Sequence, residues 1–152
     1  HLSSMKWWLR CFSLWIRWIE SSQLSLKREI GSDNINKRIL GKEQENKAVD
    51  YLLSKGYTIL EKNYLRRTGE IDIVVKSPDD YLVAVEVKYR SSDRFGSPFS
   101  AVNYTKQRKI YKTLLFYMSE HNIPMDAKCR FDVVGIYGDN RLEHLINAFE
   151  AC

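Results

Sequence analysis

The chain has 152 residues, of which 44% are hydrophobic, so it can bury one sizeable core and a single domain is expected. It carries 24 Lys and Arg against 19 Asp and Glu, which favours an anionic partner such as nucleic acid, although a generic basic surface is the alternative. Cys11, Cys129 and Cys152 form no CxxC pair and complete no zinc pattern with the histidines, which excludes a structural zinc finger and predicts a reducing, cytoplasmic location.

Residues 1–38 are predicted to be an N-terminal extension and linker. The Trp-rich segment has charges throughout, so it lacks the run of about 18–20 apolar residues that spans a bilayer, and it fits a cleaved signal peptide poorly. Three interpretations of this segment remain. It forms an amphipathic helix on a membrane surface, it forms a helix that packs on this chain or on a partner, or it is foreign to the natural product. The last two are favoured over membrane association. Residues 20–38 are polar and typical of a linker.

The globular domain is predicted to occupy residues 39–152, and its first element is a helix over 41–56. Apolar residues recur there at helical spacing, and Gly56 is a natural C-terminal stop. Strands are predicted next, the last two joined by a turn at Ser77–Asp80, and they cover residues 57–63, 64–76 and 81–90.

A loop rich in Ser and Gly then precedes a long helix over 101–122, whose apolar positions are Ile110, Leu114, Tyr117 and Met118. A strand over 127–138 follows. The segment 141–149 is either a short final helix or a last strand with a helical tail. The order α-β-β-β-α-β predicts an α/β domain with a mixed sheet packed between helices.

Asp72, Glu86 and Lys88 stand out because they are charged residues inside strongly apolar strands. Alternation places Glu86 and Lys88 on one face of their strand. If the hairpin turn is centred on Asp79, Asp72 lies across from Glu86, with Cβ atoms about 4.5–5.5 Å apart. Carboxylates that close repel, so one is protonated or both need a cation, and Mg²⁺ is well suited. Alternation also predicts one shared face for Ile71, Ile73 and Val75.

Glu45 is a third candidate acid, on the first helix. It precedes Ala48, Val49 and Leu52 by three, four and seven residues, offsets that predict a position on the buried face one turn before the apolar stripe. The alternative for Glu45 is a helix N-terminal acid favoured by the macrodipole. For the strand residues, the alternative is a cross-strand salt bridge involving Lys88, worth about 0.2–1 kcal/mol.

The segments GEIDIVV and LVAVEVKYR resemble the PD-(D/E)XK nuclease superfamily, whose active site is an acid on one strand followed by E-x-K on the next. The match is closer to the bacterial YraN-like family of uncharacterised proteins, considered related to Holliday-junction resolvases. It covers about residues 41–149 and includes EQENKAVDYLLSKGYTILEKNY, FGSPFSAVNYTKQRKI, CRFDVVGIY and LEHLINAF. Gln44 stands where that family usually has Gly. The resemblance implies a restriction-endonuclease-like αβββαβ core with a mixed central sheet flanked by helices.

The resemblance also implies catalytic roles for four residues. Asp72 and Glu86 would hold Mg²⁺ or Mn²⁺, with help from the backbone carbonyl of Val87, and Glu45 would complete or support the metal shell. Lys88 would orient or deprotonate the attacking water. The ion would neutralise charge on the scissile phosphate and make its bound water more acidic.

Further residues are candidates for supporting and binding roles. Gln107 and Tyr111, one helical turn apart, resemble the Q-x-x-x-Y feature of some relatives, and the alternative is a capping Gln with a packed Tyr. A basic rim could hold phosphates beside the metal. Its predicted nucleic-acid-binding members are Arg66, Arg67, Arg90, Arg94, Lys106 and Lys109. Arg108 and Lys112 are better explained as a solvated helix face.

The function expected from these features is a metal-dependent endonuclease that hydrolyses phosphodiester bonds in DNA, including branched or structured DNA. The alternative is a non-catalytic nucleic-acid-binding module that keeps the nuclease fold. Action on four-way junctions would need two active sites and hence a homodimer.

Overall fold

The computed structural model describes residues 34–91 and 102–150. The chain divides into two units between Leu40 and Gly41. The described part of the first unit, residues 34–40, is helical and exposed, so the end of the predicted linker is helical and not irregular. The Trp-rich segment and Arg94 lie outside the described residues.

The second unit contains a five-stranded mixed sheet with the spatial order β1-β2-β3-β4-β5. The pairing of β3 with β4 is parallel and the other three pairings are antiparallel. This sheet and its flanking helices confirm the predicted fold class. The strands are β1 Thr58–Arg66, β2 Gly69–Lys76, β3 Leu82–Arg90, β4 Cys129–Tyr137 and β5 Leu142–Phe149.

Two helices cover the sheet and create two core clusters. Helix α1, residues 34–54, buries Ala48 and Leu52 against one set of strand residues, namely Ile73, Val75, Val83 and Val85. Helix α2, Tyr104–Glu120, packs against the strand residues that alternate with these, which include Val74, Leu82 and Ala84. Because side chains alternate along a strand, the two clusters lie on opposite faces of the sheet. Each fully buried aliphatic side chain contributes roughly 1.5–3 kcal/mol to stability.

Helix α2 begins at a polar cap and buries the apolar positions that the sequence predicts. The Asn103 side chain accepts a hydrogen bond from the Lys106 N–H at 2.9 Å, which satisfies one of the free donors of the first turn. The predicted positions are confirmed as buried, and they are Ile110, Leu114, Tyr117 and Met118.

The predicted strand over 64–76 is confirmed for residues 69–76 and wrong before them, because the chain turns at Arg67 and Thr68 and the residues before this turn belong to β1. Gly69 opens β2 with a φ of +152°. A Cβ there would lie 3.1 Å from the Lys109 Cβ, so the turn needs Gly to pack closely on α2. Arg-Arg-Thr contains none of the usual turn residues, which is why the sequence conceals this turn.

The predicted shared face of Ile71, Ile73 and Val75 is also wrong. Ile71 joins the cluster that contains Val74 and packs on α2, whereas Ile73 and Val75 pack on the α1 side. The neighbouring strand is irregular here, with a register shift between Ile59 and Glu61 and a positive φ at Asn63. Such irregularities break the alternation that a regular ladder would impose.

The last element is entirely a strand, so the predicted helix or helical tail is wrong. Its apolar residues have helix-like spacing, since they are Leu142, Leu145, Ile146 and Phe149. A register shift opposite Phe131–Val133 and a positive φ at Asn147 interrupt the alternation. Leu145 and Ile146 are exposed, so this spacing does not mark a buried helical stripe.

Candidate active site

The candidate site lies where β2 and β3 separate. The ladder is regular from Lys76↔Leu82 to Ile73↔Val85, a register centred on Asp79. Continued by one residue, this register would set Asp72 opposite Glu86. At that point the Asp72 Oδ2 instead accepts a hydrogen bond from the Val87 N–H at 2.8 Å. A side chain thus satisfies the backbone donor where strand pairing ends, and it brings the Asp72 carboxylate beside the E-x-K sequence.

Glu86 is the most deeply buried charged group of this site, with 3% of its side chain exposed. Its Oε1 lies 2.5 Å from the Nζ of Lys88 and 3.2 Å from the Nζ of Lys106. Its Oε2 is buried and has no hydrogen-bond partner among the described residues. One oxygen therefore contacts two ammonium groups, while the other bears the cost of burial without a partner.

Asp72 has a strongly perturbed acidity. Burial, followed by the negative charge of Glu86, raises the pKa of Asp72 to about 7, although the Val87 hydrogen bond and the nearby ammonium groups of Lys106 and Lys88 oppose this shift. The positive charge around the pair is therefore too weak to hold Asp72 fully ionised at neutral pH. A pKa perturbed by burial and a specific partner is a feature of functional sites.

Lys106 is a site residue whose position the sequence did not predict. It was expected only in the basic rim, yet it reaches Glu86 from the first turn of α2. The signal available in the sequence was Asn103, because an N-cap at that position starts the helix and puts Lys106 in its first turn. Knowing that this turn faces Glu86 required the packing of α2 on the sheet.

Glu45 does not occupy the central line of the buried face of α1. That line is formed by Gln44, Ala48 and Leu52, which recur every four residues, and Glu45 is only half-buried beside it. Gln44 is 4% exposed, and its Oε1 has no hydrogen-bond partner within the described residues. Glu45 therefore lies at the edge of the buried face, in line with half-buried Val49 four residues later, which packs on the same core cluster.

Potential metal ligands are sparse in residues 34–91 and 102–150. No group of three or more His, Cys, Asp or Glu side chains there is placed to hold a metal ion. Glu45 therefore does not form a three-carboxylate cluster with Asp72 and Glu86 in this structure. The two strand acids, with their buried free oxygen and raised pKa, are the acids that suit a cation.

Gln107 and Tyr111 have contacts that account for them structurally. The Gln107 Nε2 donates to the carbonyl of Val102, just before α2, at 2.9 Å. The ring of Tyr111 meets that of Phe131 edge to face, with centroids 6.2 Å apart. These contacts match the alternative of a capping Gln and a packed Tyr.

The predicted basic rim is only partly available to a ligand. Arg66 is bound to Glu120 through two hydrogen bonds and stacks over the Tyr64 ring at 4.1 Å. Arg90 is half-buried, and its Nε has no partner in the described part of the chain. Arg67 and Lys109 are exposed. In this structure the Arg66 guanidinium is thus already engaged by Glu120, although the pair is exposed.

A second buried charge network surrounds Asp132, in the motif RFDVV. Its carboxylate accepts hydrogen bonds from the Arg130 Nε at 3.2 Å and the Asn147 N–H at 2.9 Å, and lies 2.9 Å from the His144 Nε2. Arg130 also donates to Tyr57 Oη and to Asp79. The network ties β4 to β5, to the start of β1 and to the β2–β3 turn, so it is a structural assembly within the fold.

Comparison with known proteins places these features in one family. Residues 44–136 match the sequence model described as Uncharacterised protein family UPF0102. A UPF0102 protein of Thermodesulfovibrio yellowstonii is 51% identical over 110 residues, covering 72% of this chain and 95% of that protein. One from Lachnoclostridium phytofermentans is 42% identical, covering 77% and 98% respectively. One from Clostridioides difficile is also 42% identical, covering 76% and 100%.

Within residues 34–91 and 102–150, no helix is long and apolar enough to cross a membrane.

Proposed function

Because the chain belongs to the uncharacterised protein family UPF0102, whose description states no activity, we propose a function from the site itself: metal-dependent hydrolysis of phosphodiester bonds in DNA. The observation that carries the proposal is the hydrogen bond from the Val87 N–H to Asp72, which sets one acid beside a buried Glu86 and its lysine. An acid next to E-x-K on adjacent strands is the arrangement of PD-(D/E)XK nucleases, which these segments resemble.

The donor set suits a divalent cation. Asp72 and Glu86 would hold Mg²⁺ or Mn²⁺, since hard cations prefer carboxylate and carbonyl oxygens. The N–H and C=O of one residue in a strand point to the same side, so the Val87 carbonyl faces the side from which Asp72 approaches. When bound, such an ion neutralises charge on the phosphate and acidifies a water molecule.

Lys88 is suited to orienting the attacking water. Its ammonium group has three donors, and Glu86 occupies one of them at 2.5 Å. The remaining donors can hold the water or a phosphate oxygen, and one quarter of the Lys88 side chain is exposed to solvent. Lys106 stands on the other side of the same Glu86 oxygen, where its charge can attract the substrate phosphate.

A second candidate function is a nucleic-acid-binding module without catalysis. The observation that favours it is the double engagement of Glu86, because two ammonium groups already offset its charge. The described residues also provide only the two strand acids, with no third His, Cys, Asp or Glu side chain placed to share an ion with them. In this case, the acids would hold Lys88 and Lys106 in position for phosphates.

The experiment that separates the two is a cleavage assay with duplex, single-stranded, flap and four-way junction DNA. Each substrate is incubated with Mg²⁺, with Mn²⁺ and with a chelator. Cleavage that requires the cation supports the nuclease. Binding to these substrates without cleavage under any condition, and without metal binding by calorimetry, supports the module.

A further inference from the structure

Helix α2 distributes its charges in a way that opposes its own stability. Its four cations all fall within its first nine residues, whereas its one acid, Glu120, is the last residue; the cations are Lys106, Arg108, Lys109 and Lys112. Positive charges near a helix N-terminus oppose the macrodipole. Like charges three or four residues apart also repel, and this applies to Lys109 and Lys112 and to Arg108 and Lys112. A bound polyanion would relieve both effects.

The outer side of α2 also has two adjoining hollows. The first, about 240 Å³, is lined by Tyr104, Thr105, Arg108, Lys109 and Lys112. The second, about 250 Å³, is lined by Thr68, Lys112, Leu115, Phe116 and Ser119. Lys112 borders both hollows, so they adjoin along the helix, and together we call them the α2 groove. None of the described residues that line it is acidic.

Each hollow of the α2 groove carries an exposed aromatic residue. Tyr104 is 61% exposed and Phe116 is 50% exposed. The Arg108 guanidinium lies 5.9 Å from the centroid of the Tyr104 ring. Cations that lie between two exposed rings are suited to a strand whose phosphates meet the cations and whose bases stack on the rings.

We propose that the α2 groove binds a single-stranded segment of nucleic acid that continues from the active site. The inference rests on the proposed function, because the groove and the active site adjoin the same end of α2: Tyr104, which lines the groove, and Lys106, whose Nζ lies 3.2 Å from Glu86, are both in the first turn of the helix. Stacking on Tyr104 and Phe116 requires bases whose faces are not covered by neighbours in a duplex. The substrate is therefore nucleic acid with an unpaired segment next to the scissile phosphate, such as a flap or an open junction arm.

Charge reversal in the groove tests the phosphate contacts. Binding of the full chain to a fluorescein-labelled 20-nucleotide single strand is measured by anisotropy at several salt concentrations, without divalent cations. Arg108→Glu combined with Lys112→Glu is expected to weaken binding and to reduce the slope of log Kd against log salt by about 1.4, at about 0.7 per phosphate contact. Lys62→Glu, an exposed reversal on β1, is the matched control and should leave the slope unchanged.

The same reversal has an expected effect on stability that a damaged fold would not produce. Lys112→Glu replaces the repulsion between residues 109 and 112 by an attraction, and both substituted positions are exposed, so the double variant should melt near the wild-type temperature. Weaker binding together with unchanged or higher thermal stability supports the groove. An equal loss of binding in Lys62→Glu would overturn it.

Aromatic truncation tests whether the strand is unpaired. Tyr104→Ala and Phe116→Ala are each expected to weaken single-strand binding about tenfold, within the range for loss of one stacked base, and to change binding of a blunt duplex of the same length far less. Equal weakening for both DNAs would contradict the single-stranded assignment. Anionic phosphatidylserine vesicles that bind the wild type but not the double variant, with no oligonucleotide binding, would show instead that a membrane is the partner.

Metal binding separates failure of this inference from failure of the proposed function. Mn²⁺-induced thermal stabilisation should be the same in the wild type and the Arg108→Glu, Lys112→Glu variant, because these residues line the groove and not the acid pair. If Mn²⁺ stabilises both proteins but oligonucleotide binding is also the same, the groove is wrong and the nuclease proposal stands. If the groove variants bind DNA weakly but no protein binds Mn²⁺, the groove stands and the nuclease proposal fails.

Discussion

The Asp72 carboxylate accepts a hydrogen bond from the Val87 backbone N–H at 2.8 Å, across the point where β2 and β3 separate. The bond crosses from one strand to the other in place of a ladder pair. It holds Asp72 buried and close to Glu86, and the burial, followed by the negative charge of Glu86, raises the pKa of Asp72. A divalent cation that binds both acids would remove that penalty.

Substitution of either acid should separate metal binding from intrinsic stability. Mn²⁺ at a hundredfold excess over its Kd is expected to stabilise the wild type by about 2.7 kcal/mol. Asp72→Asn and Glu86→Gln should abolish this gain, and Asp72→Asn should raise stability without metal, because it removes a repulsion and keeps an oxygen for Val87. Thermal melting with and without Mn²⁺ measures both effects.

Asp80→Asn is the matched control for the charge change. Asp80 is exposed in the β2–β3 turn and pairs with Lys76 at 2.7 Å. Its substitution should preserve the Mn²⁺ gain. Loss of the gain in Asp80→Asn, or its retention in both acid variants, would remove Asp72 and Glu86 as the metal ligands.

The metal-free protein should show an unusual pH dependence at Asp72. This carboxyl has a pKa of about 7 in the fold against an ordinary value of 3.8, so the unfolded chain loses this proton first as the pH rises. Above about pH 4, the folded protein must either keep the proton on Asp72 or bury a second negative charge beside Glu86, and both cost free energy. The contribution of Asp72 to stability therefore falls between about pH 4 and pH 7 and stays low above pH 7. Denaturant unfolding at several pH values in a chelator, compared between the wild type and Asp72→Asn, isolates this contribution. A difference between the two proteins that is constant across this range would contradict the raised pKa.

Lys88→Ala should separate metal binding from catalysis. The Lys88 ammonium contacts Glu86 but is not proposed to contact the ion, so the variant should keep its Mn²⁺-induced stabilisation. Cleavage should be lost, because the donor that orients the water is absent. Melting with Mn²⁺ and a cleavage assay on the same preparation provide the two readings. Cleavage at the wild-type rate would exclude Lys88 from the chemistry.

The Asp132 network should matter for stability and not for metal binding. Asp132 is fully buried and is bound by Arg130, His144 and the backbone of Asn147. Asp132→Ala leaves Arg130 without its fully buried anionic partner, and removing one partner of a buried pair costs about 3–5 kcal/mol. Chemical denaturation measures this loss. A cost below about 1 kcal/mol would show that Asp79 and Tyr57 alone can hold Arg130.

The sequence predicted the parts of the site that depend on regular strand geometry. The hairpin register centred on Asp79 and the shared face of Glu86 and Lys88 depend on a period of two, and the ladder from Lys76 to Ile73 is regular. The buried positions of α2 likewise depend on helical spacing, with an N-cap at Asn103. Regular local geometry was therefore predictable before any tertiary contact was known.

The parts that sequence reasoning missed depend on irregular backbone or on contacts distant in the chain. Ile71 lies on the opposite face of the sheet from the one that alternation predicts. It stands beside the irregular stretch of β1, where Asn63 has a positive φ, and a period-two pattern does not predict such an irregularity. Lys106 meets Glu86 only because α2 packs on the sheet, a relation that composition cannot show. β5 carried helix-like spacing, and its strand depends on hydrogen bonds to Asp132.

The most direct test of the central claim is a comparison of cleavage by the wild type and by Glu86→Gln, purified in parallel, on a flap or four-way junction DNA with Mn²⁺. The account predicts cleavage by the wild type that a chelator stops, and no cleavage by Glu86→Gln, although this variant should still bind the DNA through its Arg and Lys residues. Equal cleavage by both proteins, or none by the wild type with either Mn²⁺ or Mg²⁺, would contradict the assignment of this site to metal-dependent phosphodiester hydrolysis.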